Sequence, residues 1–274
     1  MDNYSTFNKY NQNWNLIQTS SIVGTTSIIT VIAANEKELY VTSPIGVYRL
    51  DSNFNILNSF LYQNGYFFGL TYNSATDHIL VTSAITQGVL IFDRNLTLVK
   101  NYNFANSSTT DIEEFNRKFY VSTDHGVIWV LINETAAASF LTACNSIKSI
   151  SIDYYGYIAV LCSTYVVYVY NINGTFMNVT WTSTTLLPYE MSFDANGEFF
   201  LTGPNGIYYL GLNGITETKH IGASIDTSCI VASMFEFYIL ELFYIFFIFL
   251  RPGVRLCHSE LQANKKYNLL SSWY

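Results

Sequence analysis

The sequence predicts an all-β protein, and three observations predict it. A phrase near the start, Glu38-Leu-Tyr-Val-Thr-Ser-Pro-Ile-Gly-Val-Tyr-Arg-Leu-Asp51, returns in altered form about every forty residues, a spacing typical of propeller blades. Within each copy, short β-branched and aromatic runs alternate with turn residues and never extend far enough for an ordinary helix. The two ends of the chain hold complementary halves of one further copy. Together these predict a β-propeller of six four-stranded blades, its ring closed by the N- and C-terminal strands. Five or seven blades are the alternatives.

The first copy shows the unit. Val41, Val47 and Leu50, with Tyr40 and Tyr48 between them, fall in two stretches separated by Thr-Ser-Pro-Ile-Gly. That is a hairpin turned by Pro and Gly. An apolar run precedes it, Ile28 to Ala33, and a polar turn after it leads to Asn53-Phe-Asn-Ile-Leu57. The second copy runs through Phe67 to Tyr72, His78-Ile-Leu-Val-Thr-Ser83, Gly88-Val-Leu-Ile-Phe-Asp93 and Asn95-Leu-Thr-Leu-Val99. The third has Lys118-Phe-Tyr-Val-Ser-Thr123 and Gly126-Val-Ile-Trp-Val-Leu131, but its leading run, Asp111-Ile-Glu-Glu114, is weak. A looser fourth follows Ile147 to Ile152 with Tyr157-Ile-Ala-Val160 and Tyr165 to Tyr170. The fifth follows Tyr189 to Phe193 with Glu198 to Gly203 and Gly206-Ile-Tyr-Tyr-Leu210. Four strands make one blade, and stacked blades bury faces that no single blade can bury alone.

The sixth unit is divided between the ends. Tyr10-Asn-Gln-Asn-Trp-Asn-Leu-Ile17 aligns with Leu50-Asp-Ser-Asn-Phe-Asn-Ile-Leu57, the second half of a repeat. Cys229-Ile-Val-Ala232 and Phe237-Tyr-Ile239 supply a first half. Joining them closes the ring and removes two sheet edges that would invite aggregation. Residues 1–239 are thus the propeller and 240–274 an apolar run with an unassigned tail.

The Tyr-Val-Thr-Ser and Gly-Val-Tyr-Arg-Leu-Asp pattern resembles the NHL and YVTN-type β-propeller repeats. The likeness covers roughly residues 4 to 239. It departs from a typical NHL repeat in lacking a regular Asp-Gly before the second strand, which only Asp194-Ala-Asn-Gly197 approaches. The resemblance implies the fold and says little of function. Without a Trp-Asp dipeptide at blade ends, the pattern does not match the WD-repeat version.

Composition agrees with many short strands. Hydrophobic residues make up 50% of the chain, aromatics 17% and charged residues 12%, with a net charge of −7. At 274 residues the chain is long enough to bury about 75% of its unfolded surface. An acidic balance without a basic run excludes nucleic acid as the main partner, because neutralising phosphates needs clustered Lys and Arg.

Cys144, Cys162, Cys229 and Cys257 lack metal-ligand spacing. Cys144 and Cys162 fall near adjacent strands and are expected as buried thiols rather than a bridge. Asn-x-Ser/Thr begins at Asn3, Asn95, Asn106, Asn133, Asn173 and Asn178. A chain this rich in Asn, Ser and Thr should carry about five such triplets by chance, so their number alone decides nothing.

No signal peptide is visible in Met1-Asp-Asn-Tyr-Ser5, which favours the cytoplasm, or an extracellular site if the chain is a piece of a longer protein. Leu240-Glu-Leu-Phe-Tyr-Ile-Phe-Phe-Ile-Phe-Leu250 breaks the repeat. Residues 229–250 approach the ~20 needed to span a bilayer, but Glu236 and Glu241 lie inside that window and oppose insertion. A strand completing the last blade is expected there in preference to a membrane anchor.

The chemistry-bearing residues do not assemble into a known signature. His78, His125, His220 and His258 occupy different places in the repeat, so no shared metal site is expected from them. Asp111, Glu113, Asp153, Glu190, Asp194 and Asp226 fall near the predicted channel mouth and are expected mainly as turn and cap groups. Propeller lactonases bind a divalent cation through such carboxylates and Asn side chains, but their motifs are not matched here. No phosphate-binding loop or Gly-x-Ser-x-Gly elbow occurs. The expectation is a monomeric, non-catalytic platform for a protein or peptide, with no cofactor, metal or catalytic residue. The alternative is a lactonase-like hydrolase or lyase with a cation in the central channel.

Overall fold

A computed structural model describes residues 4–10, 16–23, 30–35, 38–53, 55–62, 65–104, 107–182, 190–193, 199–203, 206–210, 219–221 and 237–241. Side chains are described for 38–53, 55–62, 65–104, 107–178, 191–193 and 201. Among these residues the protein is all β, without a helix. In particular, no helix is long and apolar enough to cross a membrane.

Strands β1 (Tyr4–Tyr10) and β2 (Leu16–Val23) pair antiparallel. The first four-stranded sheet follows as β3 (Thr30–Asn35), β4 (Glu38–Ser43), β5 (Gly46–Asp51) and β6 (Ile56–Leu61). The second holds β7 (Phe67–Asn73), β8 (His78–Ser83), β9 (Gly88–Asp93) and β10 (Leu98–Asn103). The third holds β11 (Thr109–Phe115), β12 (Lys118–Thr123), β13 (Val127–Ile132) and β14 (Thr135–Leu141). The fourth holds β15 (Ile147–Ile152), β16 (Tyr157–Cys162), β17 (Val166–Asn171) and β18 (Phe176–Thr182). The fifth holds β19 (Glu190–Phe193), β20 (Phe199–Gly203), β21 (Gly206–Leu210) and β22 (Lys219–Ile221).

Each of these five sheets is an antiparallel meander in sequence order. Their first strands are neighbours in succession: β3 beside β7, β7 beside β11, β11 beside β15, and β15 beside β19. The last strand, β23 (Phe237–Glu241), pairs antiparallel with β1, from Thr6 opposite Glu241 to Tyr10 opposite Phe237. This architecture is compatible with a propeller. Strand β1 ends at Tyr10 much as β5 ends at Asp51, and β2 begins at Leu16 as β6 begins at Ile56, in keeping with the half-repeat alignment. The expected partner run Cys229–Ala232, and the apolar run beyond Glu241, lie outside the described residues.

Alternation along the second strands explains the recurring phrase. On β12, Phe119 and Val121 face the second sheet, joining Leu80, Val89, Ile91 and Ile112. Tyr120, between them, faces the fourth sheet with Ile150, Ile158 and Val160. On β8, Ile79 and Val81 join Phe67 of their own sheet and Tyr40 and Val47 of the first sheet, while Leu80 faces the other way. The second strands β4, β8, β12 and β16 are therefore buried on both faces, and that is why they read as continuous apolar runs. Fourth strands differ: Ile56, Leu57, Leu98, Val99, Leu141 and Phe176 are exposed. The repeated glycine at the head of the third strand has a steric cause, because a Cβ at Gly88 would collide with the backbone carbonyl of Tyr102 on β10.

The weak leading run of the third copy is nonetheless a complete strand, β11, with Asp111 and Glu113 buried. His220, expected in a link between repeats, lies within β22.

Candidate functional site

The acidic residues expected near a channel mouth serve different ends. Asp111 lies on β11 between the first strands of two neighbouring sheets. Its Oδ2 accepts hydrogen bonds from Ser149 Oγ at 3.1 Å and the Ile150 amide at 3.0 Å, both on β15. Its Oδ1 accepts the amide of Ile112 at 2.8 Å. On the opposite side Gly69 of β7 leaves room for this carboxylate, since a Cβ there would clash with Asp111 itself. Asp111 thus ties first strands together, using lone pairs that a cation would otherwise need. Ser151 continues the pattern, its Oγ accepting the Phe193 amide on β19 at 3.1 Å. On the other side Thr42, on the second strand β4, donates to the Phe68 carbonyl of β7 at 2.8 Å.

Asp153 is a turn group, as expected. Its Oδ1 accepts the amides of Tyr155 at 2.9 Å and Tyr157 at 2.7 Å. Oδ2 is buried without a hydrogen-bond partner among the described residues. Burial pushes the carboxyl above its ordinary value, against the lowering effect of the amides of Tyr157, Tyr155 and Gly156. The side chains of Glu190, Asp194 and Asp226 lie outside the described residues. Among the described residues, no three His, Cys, Asp or Glu side chains converge as a metal site.

The Asp153 turn projects two aromatic rings. Tyr154 is 82% exposed and Tyr155 73%, their rings edge to face at 5.6 Å. A meander of four strands puts its first-to-second and third-to-fourth turns at the same end of the sheet. The Tyr154–Tyr155 turn therefore shares that end with the turns after β9, β13 and β17.

At this end the first three sheets grip one another in succession. Glu38 at the head of β4 binds Arg49 of its own sheet at 2.6 Å and Arg94, in the turn after β9, at 2.9 Å. Burial would raise the Glu38 carboxyl, but hydrogen bonds from Arg94 and Arg49 and their charge outweigh it and hold its pKa at about 2. One sheet further, Glu134 in the turn after β13 accepts from Asn73 Nδ2 and Thr76 Oγ1, each at 2.7 Å, and meets His78 Nδ1 at 2.9 Å. Burial would raise this carboxyl too, yet the bonds from Thr76, His78 and Asn73 bring it below its ordinary value. His78 is therefore a side chain of the grip between sheets. His125 sits in the turn after β12, beside Asp124.

Sequence reasoning missed the disulfide. Cys144 and Cys162 are bonded, with Cα atoms 5.4 Å apart, rather than standing as separate thiols. Cys162 ends β16 at the position that Ser83 holds on β8, where the hydroxyl donates to the Gly65 carbonyl of the segment leading into β7. In the fourth sheet a covalent bond replaces that hydrogen bond. The available signal was that Cys162 stands at a repeat position otherwise held by Ser43, Ser83 and Thr123.

No protein-family model matches the chain, and a search of the curated proteins returns no match.

Proposed function

We propose that the chain is a six-bladed propeller of the NHL or YVTN kind, closed through β1 and β23, and that it acts as a monomeric, non-catalytic platform for a protein or peptide. The supporting observation is the Asp153 turn, which holds two exposed tyrosines on a backbone pinned by its own carboxylate. Rigid aromatic side chains lose little entropy on binding and dominate the energetics of interfaces. The engagement of Asp111 with β15 supports the same reading, because this inner carboxylate is already committed to holding sheets together.

A peptide-display selection against the full chain tests the platform. Clones enriched on the wild type should lose at least tenfold in affinity for a Tyr154→Ala/Tyr155→Ala variant that melts at the wild-type temperature. Enriched clones that bind the variant equally well would move the binding surface elsewhere. The competing hydrolase reading predicts that millimolar Ca²⁺ raises the melting temperature and EDTA reverses the rise, by mass action on the folded state. The platform reading predicts no shift.

A further inference from the structure

The turns joining third and fourth strands carry a pattern that the fold does not require. In the second sheet Asp93 Oδ1 accepts the amides of Asn95 and Thr97, each at 2.8 Å. In the fourth sheet Asn171 Oδ1 accepts those of Asn173 at 3.0 Å and Thr175 at 2.9 Å. In the first sheet Asp51 Oδ1 accepts those of Asn53 at 2.8 Å and Asn55 at 2.9 Å, so asparagine closes this turn as well as threonine does. The Thr97 side chain also bonds Asp93, but Asn55 Nδ2 does the same for Asp51 Oδ2 at 2.9 Å, so the turn needs a donor there and not specifically a hydroxyl. The third sheet has a shorter turn, with Asn133 at its tip and Thr135 two residues on. Three successive sheets thus present Asn-x-Thr at one kind of turn, and Asn95, Asn133 and Asn173 are all exposed.

Their amides are also accessible. The Asn95 side chain uses its oxygen, which accepts from Arg49 Nη1 at 2.8 Å. Its nitrogen has no hydrogen bond among the described residues. The same holds for the side-chain amides of Asn133 and Asn173. A substituent on nitrogen leaves the Arg49 contact intact and extends into solvent.

A second, independent observation comes from Cys144 and Cys162, both buried and bonded to each other. Structural disulfides persist in oxidising compartments and are rare in the cytosol. Asn-x-Ser/Thr is an acceptor for glycans in proteins that pass through such compartments.

We propose that Asn95, Asn133 and Asn173 carry N-linked glycans and that the chain folds in an oxidising secretory compartment. In the transfer, Asn Nδ2 bonds to C1 of a sugar supplied as a polyisoprenyl diphosphate-linked oligosaccharide. The C1–O bond breaks, the diphosphate leaves with the electron pair, and the amide loses one proton. For the disulfide, the two thiols give up two protons and two electrons to a protein-disulfide donor. The glycans would then ring the outer part of the end that carries Tyr154 and Tyr155.

The test uses the endogenous full chain, immunopurified from cells that make it, denatured without reductant and alkylated. It is then treated with peptide N-glycosidase in heavy-oxygen water, and its peptides are read by mass spectrometry. Asn95, Asn133 and Asn173 should appear as heavy-oxygen Asp, Asn53 as unchanged Asn, and Cys144 and Cys162 as unalkylated. A tagged full chain expressed in the same cells should lose one step of gel mobility shift with each of Thr97→Ala, Thr135→Ala and Thr175→Ala, changes that leave the backbone amides in place. Unmodified Asn at all three positions, alkylation of Cys144 and Cys162 without reduction, or shifts that survive the threonine substitutions would overturn the proposal.

Discussion

Glu38 and His78 occupy the same position of the repeat, and each meets the third-to-fourth turn of the next sheet with the opposite chemistry. Glu38 offers a carboxylate to Arg94, and His78 an imidazole to Glu134. The contact is kept while the carboxylate moves to the other side of it, so no repeated residue in the sequence announces it. The Glu38 carboxyl, held at about 2 against an ordinary 4.5, has a folded pKa below its unfolded one. Its contribution is fully present above about pH 4.5 and is lost as pH falls towards 2. With discount for the half-exposed Arg94, that contribution is about 2 kcal/mol. Urea unfolding of the wild type between pH 5 and 2 should show this loss, and Glu38→Gln should remove it while lowering stability at pH 7 by about 2 kcal/mol. Equal acid sensitivity in the two proteins would assign the loss to other carboxylates. Asp153 was readable from Asp-Tyr-Tyr-Gly as a turn group. Asp111 was not readable as a buried strand residue, because its partners Ser149 and Ile150 lie on a strand about forty residues away.

At the scale of elements, the second strand of each repeat was the most legible, since burial on both faces demands an unbroken apolar run. First strands were harder to read. Strand β11 has only Ile112 as a fully buried aliphatic near its centre and tolerates Asp111 because β15 supplies donors to it. The disulfide replaces a hydroxyl contact at the end of β16 and closes a loop across a sequence separation of 18. A bridge over such a loop stabilises by about 3 kcal/mol, chiefly by restricting the unfolded chain. Cys162→Ser restores the residue type of Ser43 and Ser83, and its urea midpoint should match that of the reduced wild type. A variant as stable as the oxidised protein would show that the bond contributes nothing beyond its hydroxyl counterpart.

For the whole molecule, the N-terminal half-copy was legible because Trp14-Asn-Leu-Ile17 repeats the spacing of Phe54-Asn-Ile-Leu57. What the molecule binds was not legible, because recognition rests on turns, and the repeat leaves turn chemistry free to vary. The pairing of β1 with β23 is open to a direct test. Asn8 and Ile239 are cross-strand partners, and such residues carry Cβ atoms about 5 Å apart. Cysteines placed at both should form an intramolecular crosslink under mild oxidation, seen as faster migration on a non-reducing gel. A pair at Asn8 and Phe237, out of register, should not. Efficient crosslinking of the second pair alone would mean that the register is wrong.

That register also governs how the molecule answers a mechanical load. The start of β1 lies against the end of β23, Thr6 opposite Glu241. Tension drawn outward through both would open the ladder from that pair inward, one rung at a time, ending at Tyr10 and Phe237. Peeling of this kind yields at lower force than sliding a whole ladder at once. The seam that joins the two ends is thus the place where pulling would first come undone, while the five meanders stay folded.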